Sequence, residues 1–368
     1  MTIERRVLMT STNERIRRLV RPEIRALQAY HVPDPGDLIK LDAMENPYRW
    51  PERLQDEWFA ELRDVSLNRY PDPQAGALKQ QLRELMDVPG SAAVILGNGS
   101  DELIQMIIQS VAIPGRVIMA PEPTFVMYRQ IAAVCGLEFA GVPLRPDFAL
   151  DAEATLAEIA ARQPAVVFLA YPNNPTGNLF DRDAVEAIIA QAPGLVVVDE
   201  AYAPFTDHSF MPALETPGNL LVLRTLSKLG FAGLRLGLLA GPGAWLEEIE
   251  KTRLPYNIST LNQVSGTVAL RHYDVFAGQA ECLRSDRETL LARLQEMPGL
   301  AVFPSEANFI LLRMPPDRAD EIFAGLKARG VLIKNLNGSA PALADCLRVT
   351  VGTPDENVAF LTALAECL

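Results

Sequence analysis

The chain has 368 residues, 49% of them hydrophobic, which is enough to bury a large core and to divide into two domains. Its formal net charge of −12 argues against a nucleic-acid surface, and no apolar run is long enough to span a bilayer, so neither nucleic acid nor membrane is expected as a partner. Cys135, Cys282, Cys346 and Cys367 show no CxxC pair, and His31, His208 and His272 are scattered, so neither a disulfide framework nor a metal site is indicated.

In chain order, residues 1–40 are arginine-rich and punctuated by Pro22, Pro33 and Pro35, which predicts a helix followed by an extended arm. Glu4, Glu14 and Glu23 have the wrong sign for a transit peptide, and no apolar signal centre is present; a cytoplasmic location is expected. Residues 38–48 alternate like a short strand that ends at Pro47, and a helix is predicted over 53–65. NRYPDP (68–73) forbids regular structure and displays Tyr70, either as a loop anchor or as a reader of something nearby.

From residue 92 the pattern becomes strand, helix, strand. Seven buried-strand candidates, near 94–97, 116–120, 137–141, 165–170, 194–198, 219–223 and 234–240, alternate with helix-length segments. That is the signature of an α/β fold with one mainly parallel sheet covered on both faces. NGSDE (98–102) follows the first strand, and Ser100 or Asp101 as N-cap would offer backbone N–H groups to an anion. PEPTFVMY (121–128) puts Phe125 where an aromatic face could lie on a planar ring or pack in the core. YPNNPTG (171–177) makes a rigid loop that aims Asn174 into a cleft, with a cis Asn174–Pro175 bond expected.

Three charges then converge. Asp199 ends the run LVVV, Lys228 lies in TLSK after a second apolar run, and Arg235 follows a glycine-bracketed turn. Asp199 and Lys228 are 29 residues apart, about one strand-helix-strand unit, so they can meet at neighbouring strand ends, where open α/β sheets bind ligands. An acid for a ring nitrogen, an amine for an aldehyde and a hydroxyl-plus-guanidinium grip for a phosphate together suit pyridoxal 5′-phosphate. Beyond residue 242 a long helix over 273–297 leads to short strands near 301–303, 308–313, 331–334 and 347–351 with two helices, a smaller α+β layer. Arg348 sits there among apolar residues and wants a carboxylate, internal or a substrate's. The expected division is an arm at 1–40, a cofactor-binding domain at 41–255 and a C-terminal domain at 256–368.

NRYP, NGSDE, PTFVMY, YPNNPTG, VVDEAY, RTLSK, AGLRLG, PYNIST, EANFIL and CLRVTVGT, in this order over nearly the whole chain, resemble the histidinol-phosphate aminotransferases, fold-type I pyridoxal-phosphate enzymes. The resemblance implies that Lys228 condenses with the cofactor and shuttles a proton, that Asp199 keeps the pyridine nitrogen protonated, and that Tyr202 and Asn174 bond the ring hydroxyl. It implies that Gly99, Ser100, Asp101, Ser227 and Arg235 hold the phosphate, that Phe125 stacks on the ring, and that Tyr70 reaches in from the partner of a homodimer. Arg348 would bind the carboxylate of L-glutamate. Tyr30 and Lys334 would meet the phosphate of imidazole acetol phosphate, in the pathway of histidine biosynthesis. Lys334 stands where family members often carry arginine; it supplies charge without a planar fork. The rival reading is an aromatic-amino-acid aminotransferase, which would turn over phenylpyruvate and need no substrate-phosphate site. A phosphothreonine-type decarboxylase would release CO₂, and a cofactor-bound regulator would need a DNA-binding module ahead of residue 38.

Overall fold

The computed structural model describes residues 12–29, 33–216 and 218–368; Tyr30 lies outside them. A two-residue strand β1 (Ile39–Lys40) precedes the seven strands of the main sheet. These are β2 (Ala92–Asn98), β3 (Val117–Glu122), β4 (Glu138–Pro143), β5 (Val166–Ala170), β6 (Leu195–Asp199), β7 (Leu220–Thr225) and β8 (Leu236–Pro242), side by side in the order β2-β8-β7-β6-β5-β3-β4. Only β8 pairs antiparallel with its neighbours. The carboxyl ends of β2, β3, β5, β6 and β7 therefore share one edge of the sheet, and the connections after them can build a single site there.

The apolar runs form this sheet because both of its faces are covered. Val167, Leu169, Val196, Val198 and Val222 point into one core with Leu78, Leu82, Val185 and Val268. The alternate residues Val166, Phe168, Val197, Leu221 and Leu223 point into the other with Leu103, Ile104 and Ile131. A period of two thus sorts each strand between two helical layers. Two helices that the pattern does not announce, Gly76–Leu85 and Thr260–Arg271, complete the first layer. The second of these buries Ser265 and Gly266 where large apolar groups would advertise it, and Trp58 Nε1 donates to Ser265 Oγ at 2.6 Å.

The C-terminal layer holds β9 (Ala301–Val302), β10 (Phe309–Arg313), β11 (Val331–Leu332), β12 (Lys334–Asn335) and β13 (Cys346–Thr350). Four of them form an antiparallel sheet in the order β12-β13-β10-β9, while β11 pairs in parallel with β1. The strand expected over 331–334 is therefore broken at Ile333, and its two halves join different sheets. The 23-residue helix Tyr273–Gln295 spans the layers, with Phe276 and Leu283 in the first core and Leu290 and Leu294 in the C-terminal one. No helix among the described residues is long and apolar enough to cross a membrane.

The segment expected as a strand over 38–48 pairs only at Ile39–Lys40. Beyond Leu41 its polar groups are claimed from both layers instead. Met44, at φ 52°, accepts through its carbonyl from Asn308 Nδ2 at 3.1 Å and donates its N–H to Thr350 Oγ1 at 3.0 Å, while Asn46 Nδ2 donates to the Leu229 carbonyl at 3.1 Å. This ribbon runs irregularly between the two sheets.

Candidate active site

A cleft of about 560 Å³ opens at the shared strand edge, lined by Ser100, Asp101, Phe125, Asn174, Asp199, Tyr202, Ser227, Lys228 and Arg235 together with Met44, Tyr128 and Thr225. Asp199 is the last residue of β6, paired with Ala170 of β5 and Leu223 of β7. Its carboxylate is buried, with Oδ2 accepting from the Tyr128 hydroxyl at 2.6 Å and Oδ1 from the Ala201 N–H at 3.1 Å. Burial outweighs these two donors and pushes its pKa up to about 6. A cation placed beside it would be held by a charge that has little else to neutralise it.

Lys228 lies three residues beyond β7, the strand adjacent to β6, in a tight turn over Ser227–Phe231. Its Nζ donates to the Ala43 carbonyl at 3.3 Å and lies 5.8 Å from the centre of the Tyr202 ring. Burial first, then the positive charges of Arg348 and Arg235, lower its pKa to about 8 against the opposing pull of Glu45 and Asp101. An amine so poised is neutral, and so nucleophilic, far more often than a surface lysine.

At the far end of the cleft, the helix Ser100–Ser110 begins at Gly99, which is the N-cap at φ 81°; Ser100 and Asp101 are its first two helical residues, a correction to their expected cap role. The reason is steric. A Cβ at Gly99 would lie 2.5 Å from Arg235 Nη2, and one at Gly237 would lie 2.7 Å from the Gly99 backbone, so only glycines let β8 and this turn touch. The result is a helix N-terminus bare of side-chain caps, facing Arg235, whose Nη1 reaches Ser227 Oγ at 3.4 Å. Arg235 Nη2 also pairs with Asp101 Oδ2 at 3.4 Å. The Asp101 carboxylate cannot donate to an anion, so its offering there is its backbone N–H. Its Oδ1, sealed from solvent, has no hydrogen-bond partner among the described residues.

Asn174 joins the cleft to the C-terminal sheet. Its Nδ2 donates to Tyr202 Oη at 3.0 Å, and its Oδ1 accepts from Arg348 Nη1; the Asn174–Pro175 bond is cis. Burial raises the Tyr202 phenol above its ordinary value. Arg348 is buried in β13, with Nη2 donating to the Asp42 carbonyl at 3.3 Å and its guanidinium 5.1 Å from the Phe309 ring.

Comparison with known proteins now decides the family. The model for aminotransferase class I and II matches residues 36–364. The chain is 58% identical over 353 residues to histidinol-phosphate aminotransferase 2 of Nitrosococcus oceani, covering 96% of this chain and 98% of that one. It is 54% identical to the histidinol-phosphate aminotransferase of Chromobacterium violaceum, covering 95% and 98%. The chain belongs to the histidinol-phosphate aminotransferase family. The solved histidinol-phosphate aminotransferase from Sinorhizobium meliloti in complex with pyridoxal-5′-phosphate superimposes with a TM-score of 0.82 at 25% identity, over 94% of this chain and 96% of that one.

Enzymes of this class use pyridoxal 5′-phosphate, and the donor set fits it: a buried acid, a desolvated amine and an uncapped helix start lie in one cleft. Phe125 also lines that cleft, set edge-on to Tyr128 at 5.6 Å and 82°. Tyr70 does not. It is 79% exposed and stacks on Tyr256 at 4.4 Å, away from its own chain's cleft. Lys334 pairs directly across from Arg348 in the antiparallel ladder, so the two side chains leave the same face of the sheet.

Two contributors to this aminotransferase cleft escape motif reading. The carbonyl of Ala43, 185 residues from Lys228, is a main-chain group and leaves no trace in residue type. Tyr128 does leave one: a tyrosine in the apolar stripe with Ile131 and Ala132 must find a partner for its hydroxyl once buried.

Proposed function

We propose that this aminotransferase exchanges an amino group between L-glutamate and imidazole acetol phosphate, giving 2-oxoglutarate and L-histidinol phosphate. When bound, pyridoxal phosphate supplies the electron sink that lets a substrate Cα–H give up its proton. Lys228 Nζ would take up that proton and hold it for return. The Asp199 carboxylate would hold a proton on the ring nitrogen, while the Tyr202 hydroxyl and Asn174 amide would bond the ring hydroxyl. The Ser100 and Asp101 N–H groups at the Gly99 turn, Ser227 Oγ and Arg235 would grip the phosphate, and Phe125 would cover the ring. Arg348 receives the α-carboxylate of glutamate.

The observation that carries the substrate is the register of β12 on β13, which sets a second cation, Lys334, beside Arg348 on one sheet face. Two cations side by side suit a reaction whose partners bring a carboxylate in one half and a phosphate in the other; Tyr30 is assigned to the same phosphate. The exposed Tyr70 supports a homodimer in which it serves the partner's cleft. A cytoplasmic location is proposed with it. The working units are proposed as an arm at 1–40, a cofactor-binding unit at 41–255 and a C-terminal unit at 256–368, with the helix Thr260–Arg271 packed on the cofactor-binding unit.

The test is single-turnover amination by the pyridoxamine-loaded enzyme. Imidazole acetol phosphate is expected to react much faster than phenylpyruvate, and Lys334→Met to erode that preference by about tenfold or more while sparing phenylpyruvate, the worth of one charge-assisted contact. A preference for phenylpyruvate in the unaltered enzyme would transfer the assignment to aromatic amino acids. A second check follows from the amine. With its pKa near 8, loading of the apoenzyme with pyridoxal phosphate is expected to accelerate up to about pH 8 and then level off. Acceleration continuing beyond pH 10 would mean an ordinary lysine.

A further inference from the structure

We propose that Tyr128 is a positioning residue for Asp199: its hydroxyl, fixed by ring packing, keeps the carboxylate ionised and oriented so that it meets the cofactor's ring nitrogen. This inference rests on the assignment of Asp199 to that nitrogen. Tyr128 is wholly buried on the helix Met127–Cys135, and its ring lies flat on Phe168 of β5, centres 4.6 Å apart at 10°. Phe125 meets it edge-on from the cleft side. An aromatic column thus runs from the residue assigned to the ring's face down to the hydroxyl behind Asp199. The phenol has no freedom to turn elsewhere, and its 2.6 Å bond to Oδ2 is the carboxylate's side-chain donor; the Ala201 N–H serves the other oxygen.

The direction of that bond is fixed by charge. Burial and the neighbouring Asp199 both raise the Tyr128 phenol well above its ordinary value, so the proton stays on the tyrosine and the hydroxyl donates. The other titratable groups bearing on Asp199 are Asp101, from the helix Ser100–Ser110, and the adjoining Glu200, both of which oppose ionisation as burial does. Tyr202 also lies within its field. The two donors therefore are what oppose burial and the neighbouring acids, and Tyr128 is the stronger of the two.

Tyr128→Phe keeps the ring stack and removes only the hydroxyl. In the full-length apoprotein carrying carboxyl-labelled aspartate, the Asp199 titration followed by carbon NMR is expected to move up by about one pH unit. Pyridoxal phosphate should dissociate about tenfold more readily, and the acid limb of the kcat profile should move the same way, while KM for glutamate stays put because Arg348 is untouched. Replacement of Tyr128 by 3-fluorotyrosine, a better donor of the same shape, should shift the titration downward, and it covers the case in which the phenylalanine variant does not fold. An unshifted titration and unchanged cofactor affinity in either folded variant, with Asp199→Asn impaired, would overturn the role of Tyr128 and leave that of Asp199 standing. An unimpaired Asp199→Asn enzyme would remove both.

Discussion

Lys228→Ala is expected to lower kcat by about 10⁴-fold or more, because it removes the nucleophile and the proton carrier at once, and a positioned base alone is commonly worth about 10²–10⁴. Among the described residues that line the cleft, no other amine is present to substitute for it. The same change is expected to leave the apoenzyme at least as resistant to heat at pH 7. In the folded chain the amine titrates near 8, below its ordinary 10.5, so folding disfavours its charged form. That cost is fully present below pH 8 and fades as pH rises toward 10.5, so any gain in melting temperature should shrink over the same window. Turnover that survives the substitution would remove Lys228 from the reaction. A melting temperature that falls at pH 7 would show that the amine's contacts, such as the one to Ala43, outweigh its desolvation.

Asp199→Asn is expected to cost about 10²–10³ in kcat, the loss typical of removing one preorganised charge from a dry site. An amide fits the same space, since its oxygen can accept from the Ala201 N–H and its NH₂ can donate to the Tyr128 oxygen. Stability should move the other way. The acid titrates near 6 when folded against an ordinary 3.8, so ionising it opposes folding; the cost is absent below pH 3.8, grows through pH 6 and is complete at neutrality. At pH 7 the asparagine apoenzyme should therefore melt no lower than its parent, while at pH 4 the two should converge. Thermal melts at both pH values alongside steady-state turnover check this. A variant that loses heat resistance at pH 7 and keeps its activity would reverse both assignments.

Much of this site is legible because its chemistry rides on the strands easiest to read. The unbroken runs of β5, β6 and β7 declare buried parallel strands, and the spacing of Asp199 and Lys228 matches the distance between adjacent strand ends. What stays hidden depends on atoms that residue type does not encode. Gly99 takes the cap position because the β8 backbone passes against it, a contact 138 residues away in the chain. The pairing of Lys334 with Arg348 depends on a break at Ile333 that an all-apolar VLI run conceals. The ribbon at 42–46 reads as a strand because alternation cannot tell a ladder partner from scattered side-chain partners such as Asn308 and Thr350.

That ribbon has a further effect on how the enzyme must behave as a machine. Its carbonyls at the adjacent residues Asp42 and Ala43 are held by Arg348, from the C-terminal sheet, and by Lys228, from the turn after β7. Consecutive peptide units cannot separate, so any shift of the Arg348 side chain that pulls on the Asp42 carbonyl also bears on the carbonyl that seats the Lys228 amine.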